Sequence, residues 1–225
     1  LDLLAQSFNA AWVPFFYRYG STRLGPGIHR EMTTLVVAAF AALGAALALN
    51  ATLIVGVIAA PEYGPAADII PILVLAFVAH VFYITVVTVL FHERQTGILP
   101  LITAGSAAAN VAVNLALIPL IGIFGAAWAT LAAFSVMAIA TYLAARRVYP
   151  VDLAWPRLGL LFIIPIAAAG FASTRPGALT VPDVALNLAL SVAVLSAAAA
   201  IGLTPFRSLR TLTRTVASEE PAPTR

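Results

Sequence analysis

Residues 95–145 read QTGILPLITAGSAAANVAVNLALIPLIGIFGAAWATLAAFSVMAIATYLAA and contain no charged side chain. One membrane crossing needs about 20 apolar residues, so this stretch is too long for one crossing and suits two. The chain reverses in the middle of the stretch, at 118–125 (IPLIGIFG), where Pro119 removes a backbone donor and two glycines permit a tight turn. The sequence therefore predicts a helical hairpin.

Both arms of this hairpin carry a patterned face. Polar residues on the first arm follow steps of three, four and four, which places them on one side of an otherwise apolar helix. They are Thr103, Ser106, Asn110 and Asn114. Lipid cannot satisfy such a face, so we expect it to meet protein or water, with the other helices arranged around the hairpin. The second arm has small residues four apart, a pattern that lets another helix approach closely: Gly125, Ala129 and Ala133.

The composition is that of an integral membrane protein. Hydrophobic residues make up 62% of the chain and charged residues 9%, and the mean hydropathy is +1.00. The chain has no cysteine, which excludes disulfides, thiolate catalysis and cysteine-bound metal. The isoelectric point near 9.7 invites a nucleic-acid interpretation, but the arginines lie in loops beside apolar stretches, where membrane topology explains them.

The charge-free runs predict an all-α, polytopic membrane helix bundle that forms one domain over residues 1–206. We expect about seven transmembrane helices, at approximately 1–17, 33–59, 69–91, 97–118, 122–145, 158–174 and 184–206. The connection 20–31 contains Gly25-Pro26-Gly27 and is interpreted as a loop. The tail 207–225 is polar, and we expect it to be disordered.

The arginines divide unequally between the two sides of this arrangement. Eleven of the twelve fall in alternate loops on one side, and Arg175 stands alone on the other side with Glu62, Asp68 and Asp183. By the positive-inside rule the arginine-rich side is cytoplasmic. We therefore expect the first helix to start outside the cytoplasm and the C-terminus to lie inside it.

Three stretches, taken in order, resemble a known family. They are AWVPFFYR at 11–18, PEYGPAA at 61–67, and NVAVN at 110–114 followed by IPLIGIFGAA at 118–127. Their order and spacing resemble the second half of bacterial polysaccharide flippases of the O-antigen or teichoic acid type. These belong to the multidrug/oligosaccharidyl-lipid/polysaccharide exporter superfamily. The likeness covers roughly residues 11–145, and the last two predicted helices match only in number and hydrophobicity.

The resemblance implies a transporter of about twelve to fourteen helices in two pseudo-symmetric lobes, of which this chain is most of the second. Such a protein lies in the bacterial cytoplasmic membrane. There it moves undecaprenyl-diphosphate-linked saccharide to the outer leaflet by alternating access, for surface polysaccharide biosynthesis such as that of lipopolysaccharide. The implied partners are the lipid bilayer, the lipid-linked saccharide and an N-terminal lobe that this chain lacks. No cofactor or metal is implied.

Seven residues are candidates for the substrate cavity, each with a structural alternative. Asn110 and Asn114, with Ser106 and Thr103, could bind saccharide hydroxyls. The alternative for them is interhelical hydrogen bonding, worth about 0.6 kcal/mol each. His80 could couple transport to proton movement, or it could be a core histidine whose hydrogen bonds are satisfied within the protein. Arg18 and Arg23 could meet the lipid diphosphate or only anchor the helix end at the headgroups. The sequence His92-Glu93-Arg94 is interpreted as a solvated turn.

Two other functions fit the composition. A membrane polymerase or glycosyltransferase acting on the same lipid carrier would need carboxylates or cations on a sizeable outer loop, and the predicted outer loops are short. A multidrug exporter of the same superfamily is usually coupled through an intramembrane acid, and the central predicted spans contain none. The lack of a catalytic constellation favours a transporter that is not an enzyme.

Overall fold

The computed structural model describes residues 1–173 and 182–200, together with Thr180. This part of the chain is helical, with no strand. Its helices are α1 (Asp2–Tyr19), α2 (Gly25–Leu49), α3 (Ala51–Ile58), α4 (Ala66–His92), α5 (Leu99–Ile121), α6 (Ile123–Val148), α7 (Trp155–Ser173) and α8 (Pro182–Ala200). Short 3-10 turns at Pro61–Tyr63 and Thr96–Ile98 precede α4 and α5.

The predicted hairpin is confirmed as α5 and α6. Its reversal is centred on Gly122, whose φ of 57° lies in the region that residues with a side chain rarely adopt. Close packing of the two arms depends on Gly125, because a Cβ there would lie 2.6 Å from the carbonyl carbon of Leu117. Ala129 and Ala133 are buried, as the small-residue pattern predicts. The helix that approaches this stripe is therefore α5 itself.

The centre of the bundle is α4, and the expectation that the helices surround the hairpin is wrong. Helix α4 packs against α2, α6 and α7, and its buried face includes Val86, Val89 and Leu90. Helix α5 packs against α6 and is otherwise little covered, so it lies at the edge of the described bundle. The polar face of α5 led to the expectation that this helix is central. Among the described helices, however, the most buried are α2 and α4, whose mean hydropathy is higher than that of α5.

The number of predicted spans is only partly matched. Five helices of the described residues are long and apolar enough to cross a membrane, namely α2, α4, α5 with its preceding turn, α6 and α8. Helices α1 and α7 occupy the predicted positions but fall outside this set. Residues 201–206 of the last predicted span, Arg175 and the tail 207–225 lie outside the described residues. The coarser conclusion holds, since several apolar helices are typical of a multi-pass membrane protein.

The residues of the expected single span 33–59 do not form one helix, since they belong to α2 and α3. Helix α2 begins at Gly25, inside the predicted loop, because Pro26 is well suited to the first turn, where its missing N–H is not needed. It ends at Leu49, and α3 follows after a break at Asn50. There the Asn50 side-chain amide donates to the carbonyl of Ala46, at 2.9 Å, and to Ser191 Oγ, at 3.0 Å. Such side-chain bonds compete with regular helix and favour a break.

Candidate functional site

The asparagine pair lies on α5 and is brought together by the helix. Asn114 Nδ2 donates to Asn110 Oδ1 over 2.9 Å, and both residues are half-buried. Asn114 Oδ1 is buried and has no hydrogen-bond partner among the described residues. A buried amide oxygen without a donor is costly, and surrounding side chains shield this one, so a donor from outside the described helices would reach it only after those side chains move.

The other two polar residues of α5 lie in different surroundings. Ser106 is buried and its Oγ donates to the carbonyl oxygen of Ala133 on α6 over 2.8 Å, which is the structural alternative considered for it. Thr103 is exposed. At about 100° per residue, Ser106 stands roughly 60° around the helix from Thr103, so the two meet different neighbours. The predicted polar face is therefore not continuous, since Ser106 lies in the contact with α6 and Thr103 lies on the exposed side of α5.

His80 lies near the middle of α4 in a stack of aromatic rings. Its ring is nearly parallel to that of Phe134 on α6, with centroids 4.5 Å apart, and also stacks on Tyr83 at 5.8 Å. Its Nδ1 is buried and has no partner among the described residues. This packing indicates that His80 helps to join α4 to α6. The rings that stack on His80 belong to Tyr83 and Phe134, and this stack does not include the asparagine pair.

Arg18 and Arg23 lie at the end of α1 and in the connection that follows it. Both are exposed, and the Arg18 guanidinium lies 5.5 Å from the Tyr19 ring centre. Neither forms an ion pair within the described part of the chain. Helix α1 packs on α2 and α4, whereas α5 packs on α6, so these arginines and the asparagine pair belong to different parts of the bundle.

A partly buried polar cluster of His92, Glu93 and Ser21, at the end of the bundle where Arg18 and Arg23 lie, was not predicted. His92 Nδ1 lies 3.0 Å from Glu93 Oε1, its Nε2 lies 3.2 Å from Ser21 Oγ, and only 11% of its side chain is exposed. The interpretation of 92–94 as a solvated turn is therefore wrong for His92, although Arg94 is exposed. The ring of Phe16, 5.3 Å away, shields His92 from solvent.

His29 belongs to the same region and is fully buried. Its Nε2 lies 3.1 Å from the backbone oxygen of Thr85, and because a carbonyl only accepts, this nitrogen carries the proton. Its Nδ1 has no partner among the described residues. The sequence interpretation placed His29 in a loop. The spacing of four to Thr33, which is also buried, is the signal that could have assigned it to a helix.

Tyr149 closes this cluster from the end of α6. Its hydroxyl donates to the carbonyl oxygen of Gly20 over 2.9 Å, and the residue is buried. Burial, and secondly the charge of Glu93, raise the pKa of Tyr149 from its usual 10.0 to about 12. The neutral phenol is thus the form that stabilises the contact between the α1–α2 connection and α6.

Replacement of Tyr149 by phenylalanine is expected to lower the free energy of unfolding by about 1–3 kcal/mol at neutral pH, because the buried Gly20 carbonyl loses its donor. The raised pKa adds a pH dependence. The stabilisation is complete below about pH 10 and is lost as the pH rises towards 12. Unfolding followed by circular dichroism in detergent should show the wild type losing stability in this range, and Tyr149→Phe losing less. Equal losses in both proteins would contradict this assignment.

Two ion pairs join α2 to the chain around the start of α7, one to the connection between α6 and α7 and the other to the first turn of α7. Arg30 bonds Asp152 at 2.7 Å, and Arg157 approaches Glu31 at 3.5 Å. Three of these four side chains are more than a third exposed, so each pair contributes little to stability. The two ion pairs instead hold the start of α7 beside α2.

The described residues offer hydrogen-bonding amides and positive charge. These residues hold no group of three or more histidine or acidic side chains placed to bind a metal. No family model, curated protein or solved structure matches the chain. The asparagine pair offers amide donors and acceptors within an apolar helix, and the exposed arginines offer positive charge at one end of the bundle. Amides suit hydroxyl groups and arginines suit phosphate oxygens.

Proposed function

We propose that the chain forms most of the second lobe of a two-lobed membrane exporter. Its substrate is undecaprenyl-diphosphate-linked oligosaccharide, which it moves across the bacterial cytoplasmic membrane by alternating access for surface polysaccharide biosynthesis. In this proposal α1 and α7 cross the membrane together with α2, α4, α5, α6 and α8, giving seven spans. The arginine-rich end and the C-terminus are cytoplasmic.

The observation that carries the proposal is the asparagine pair on α5. Helix α5 is long and apolar enough to cross the membrane, yet among the described helices it packs mainly along α6, and it keeps two amides at its half-buried side. Polar side chains in such a helix are expected to face protein or a water-filled cavity. Asn114 Oδ1 is shielded and lacks a donor among the described residues, and a saccharide hydroxyl would supply that donor once the shielding side chains move aside.

Arg18 at the end of α1 and Arg23 in the connection after it supply a second group that such a substrate needs, positive charge for the diphosphate. A lipid diphosphate carries negative charge at the membrane surface, and arginine binds phosphate oxygens through charge-assisted hydrogen bonds. Arg18 and Arg23 are exposed and form no ion pair with a carboxylate of the described residues. The saccharide and the diphosphate would therefore be recognised by different helices of the lobe.

A complementation experiment tests the two-lobe part of this proposal. Alternating access requires a second rigid body, so residues 1–225 expressed alone should insert in the membrane but leave glycan export absent in a flippase-deficient strain. Co-expression with the segment encoded immediately upstream should restore surface glycan, detected by immunoblotting. Full restoration by residues 1–225 alone would contradict the two-lobe proposal.

A further inference from the structure

An apolar groove runs between α4, α6 and α7 on the surface of the bundle. Its volume is 320 Å³, and its lining includes Phe82, Ile139, Tyr142, Trp155, Gly159 and Phe162. No atom of a neighbouring residue lies within 4 Å of the place that a Cβ on Gly159 would take, so the groove is open at this point. In a membrane, a lipid chain would cover such a surface.

Aromatic rings and a cation stand at one end of the groove. The Arg146 guanidinium lies 5.9 Å from the centre of the Tyr142 ring, one helical turn further along α6. Tyr142 in turn packs edge to face on Trp155, with centroids 5.1 Å apart, and Trp155 is 52% exposed. Tryptophan and tyrosine at the end of apolar helices are typical of the headgroup level of a bilayer.

The positive charge at this end is available for an anion. Arg146 and its neighbour Arg147 are exposed, and neither forms an ion pair within the described residues. The acidic side chains that flank α7, Asp152 and Glu31, are already paired with Arg30 and Arg157. A phosphate oxygen arriving at Arg146 would therefore meet an uncompensated guanidinium.

We propose that this groove binds an anionic phospholipid of the bilayer, with an acyl chain against Phe82, Ile139 and Phe162 and the phosphate on Arg146. The apolar lining excludes a free phosphate ion as the main ligand, because most of the contact area offers no polar partner. The cation selects an anionic headgroup over a zwitterionic one. This site is separate from the asparagine pair on α5 and does not depend on the proposed transport activity.

Fluorescence quenching of Trp155 tests the proposal in the full chain. The chain has three tryptophans, so Trp128→Phe removes one, and Trp12 is 1% exposed and therefore shielded from quenchers in the lipid. The protein is reconstituted into phosphatidylcholine bilayers that contain a small fraction of either phosphatidylglycerol or phosphatidylcholine brominated on the acyl chain. A further Trp155→Phe variant identifies the signal that belongs to Trp155.

We expect quenching to report about a fivefold preference for phosphatidylglycerol, the effect of one arginine near the surface. Arg146→Gln should remove the preference, and Arg147→Gln, which removes the same charge from the next residue, should keep it. Gly159→Leu should fill the groove and reduce quenching by both brominated lipids. Equal quenching by the two lipids in the wild type, or the same loss with Arg147→Gln as with Arg146→Gln, would overturn the proposal.

Discussion

Simultaneous replacement of Asn110 and Asn114 by leucine is expected to abolish glycan export by the complete two-lobed protein while its amount in the membrane stays unchanged. Leucine is well tolerated in a lipid-exposed helix, but it cannot bond a hydroxyl group. The asparagines bond to each other and make no hydrogen bond to another helix within the described residues. Their loss should therefore remove substrate contacts without separating α5 from α6. Surface glycan and the membrane level of the protein are measured in the same cells.

A third asparagine provides the matched control for this experiment. Asn50, at the break between α2 and α3, donates to Ala46 on α2 and to Ser191 on α8, so its role in the structure is to join helices. Asn50→Leu should reduce the membrane level of the protein and reduce export only in proportion. If the Asn110 and Asn114 double variant behaves like Asn50→Leu, the pair is structural. Normal export by the double variant would equally contradict a role in the substrate cavity.

Replacement of Gly25 by alanine is expected to lower the free energy of unfolding by about 3 kcal/mol, among the largest effects of a single methyl group. A Cβ at this position would collide with the carbonyl oxygen of Gly20, and the Tyr149 hydroxyl also lies beside it. Neither can move freely, because Tyr149 donates to that same carbonyl. The start of α2 would have to separate from the α1–α2 connection and from α6.

Gly105 on α5 is the control for Gly25. No neighbouring residue lies within 4 Å of its Cβ position, so Gly105→Ala should stabilise the protein by about 0.5–1 kcal/mol through the higher helix propensity of alanine. Thermal unfolding of both variants in the same detergent gives the comparison. Similar unfolding temperatures for the two variants would refute the close approach of Gly20, Gly25 and Tyr149.

The sequence predicted the hairpin well because its signals are local. A charge-free length and two glycines define two helices and their reversal, and Gly122 and Gly125 act as that pattern requires. Pro119, which was expected to mark the reversal, lies inside α5, and the helix continues to Ile121. The start of α2 was placed too late because Gly25-Pro26-Gly27 was interpreted as a helix breaker. The same residues fit a helix N-terminus, where proline is favoured, and only the packing against Gly20 decides between the two.

The candidate site was predictable only in part, since it depends on which helix covers which face. Spacing correctly placed Asn110 beside Asn114, but it could not distinguish Ser106, which bonds α6, from Thr103, which is exposed. His29 and His92 were missed for a different reason. Each sits next to charged residues in the sequence, which suggested solvent. Contacts with residues distant in the sequence, Thr85 for His29 and Phe16 for His92, shield the two rings.

The central claim is that the complete protein moves lipid-linked saccharide between leaflets, and a reconstituted transport assay tests it most directly. The two-lobed protein is placed in liposomes with undecaprenyl-diphosphate-linked oligosaccharide, and an added glycosidase reports the substrate that reaches the outer leaflet. We predict that the wild type exposes substrate faster than protein-free liposomes and that the Asn110 and Asn114 double leucine variant does not. A wild-type rate equal to that of protein-free liposomes would contradict the proposed function.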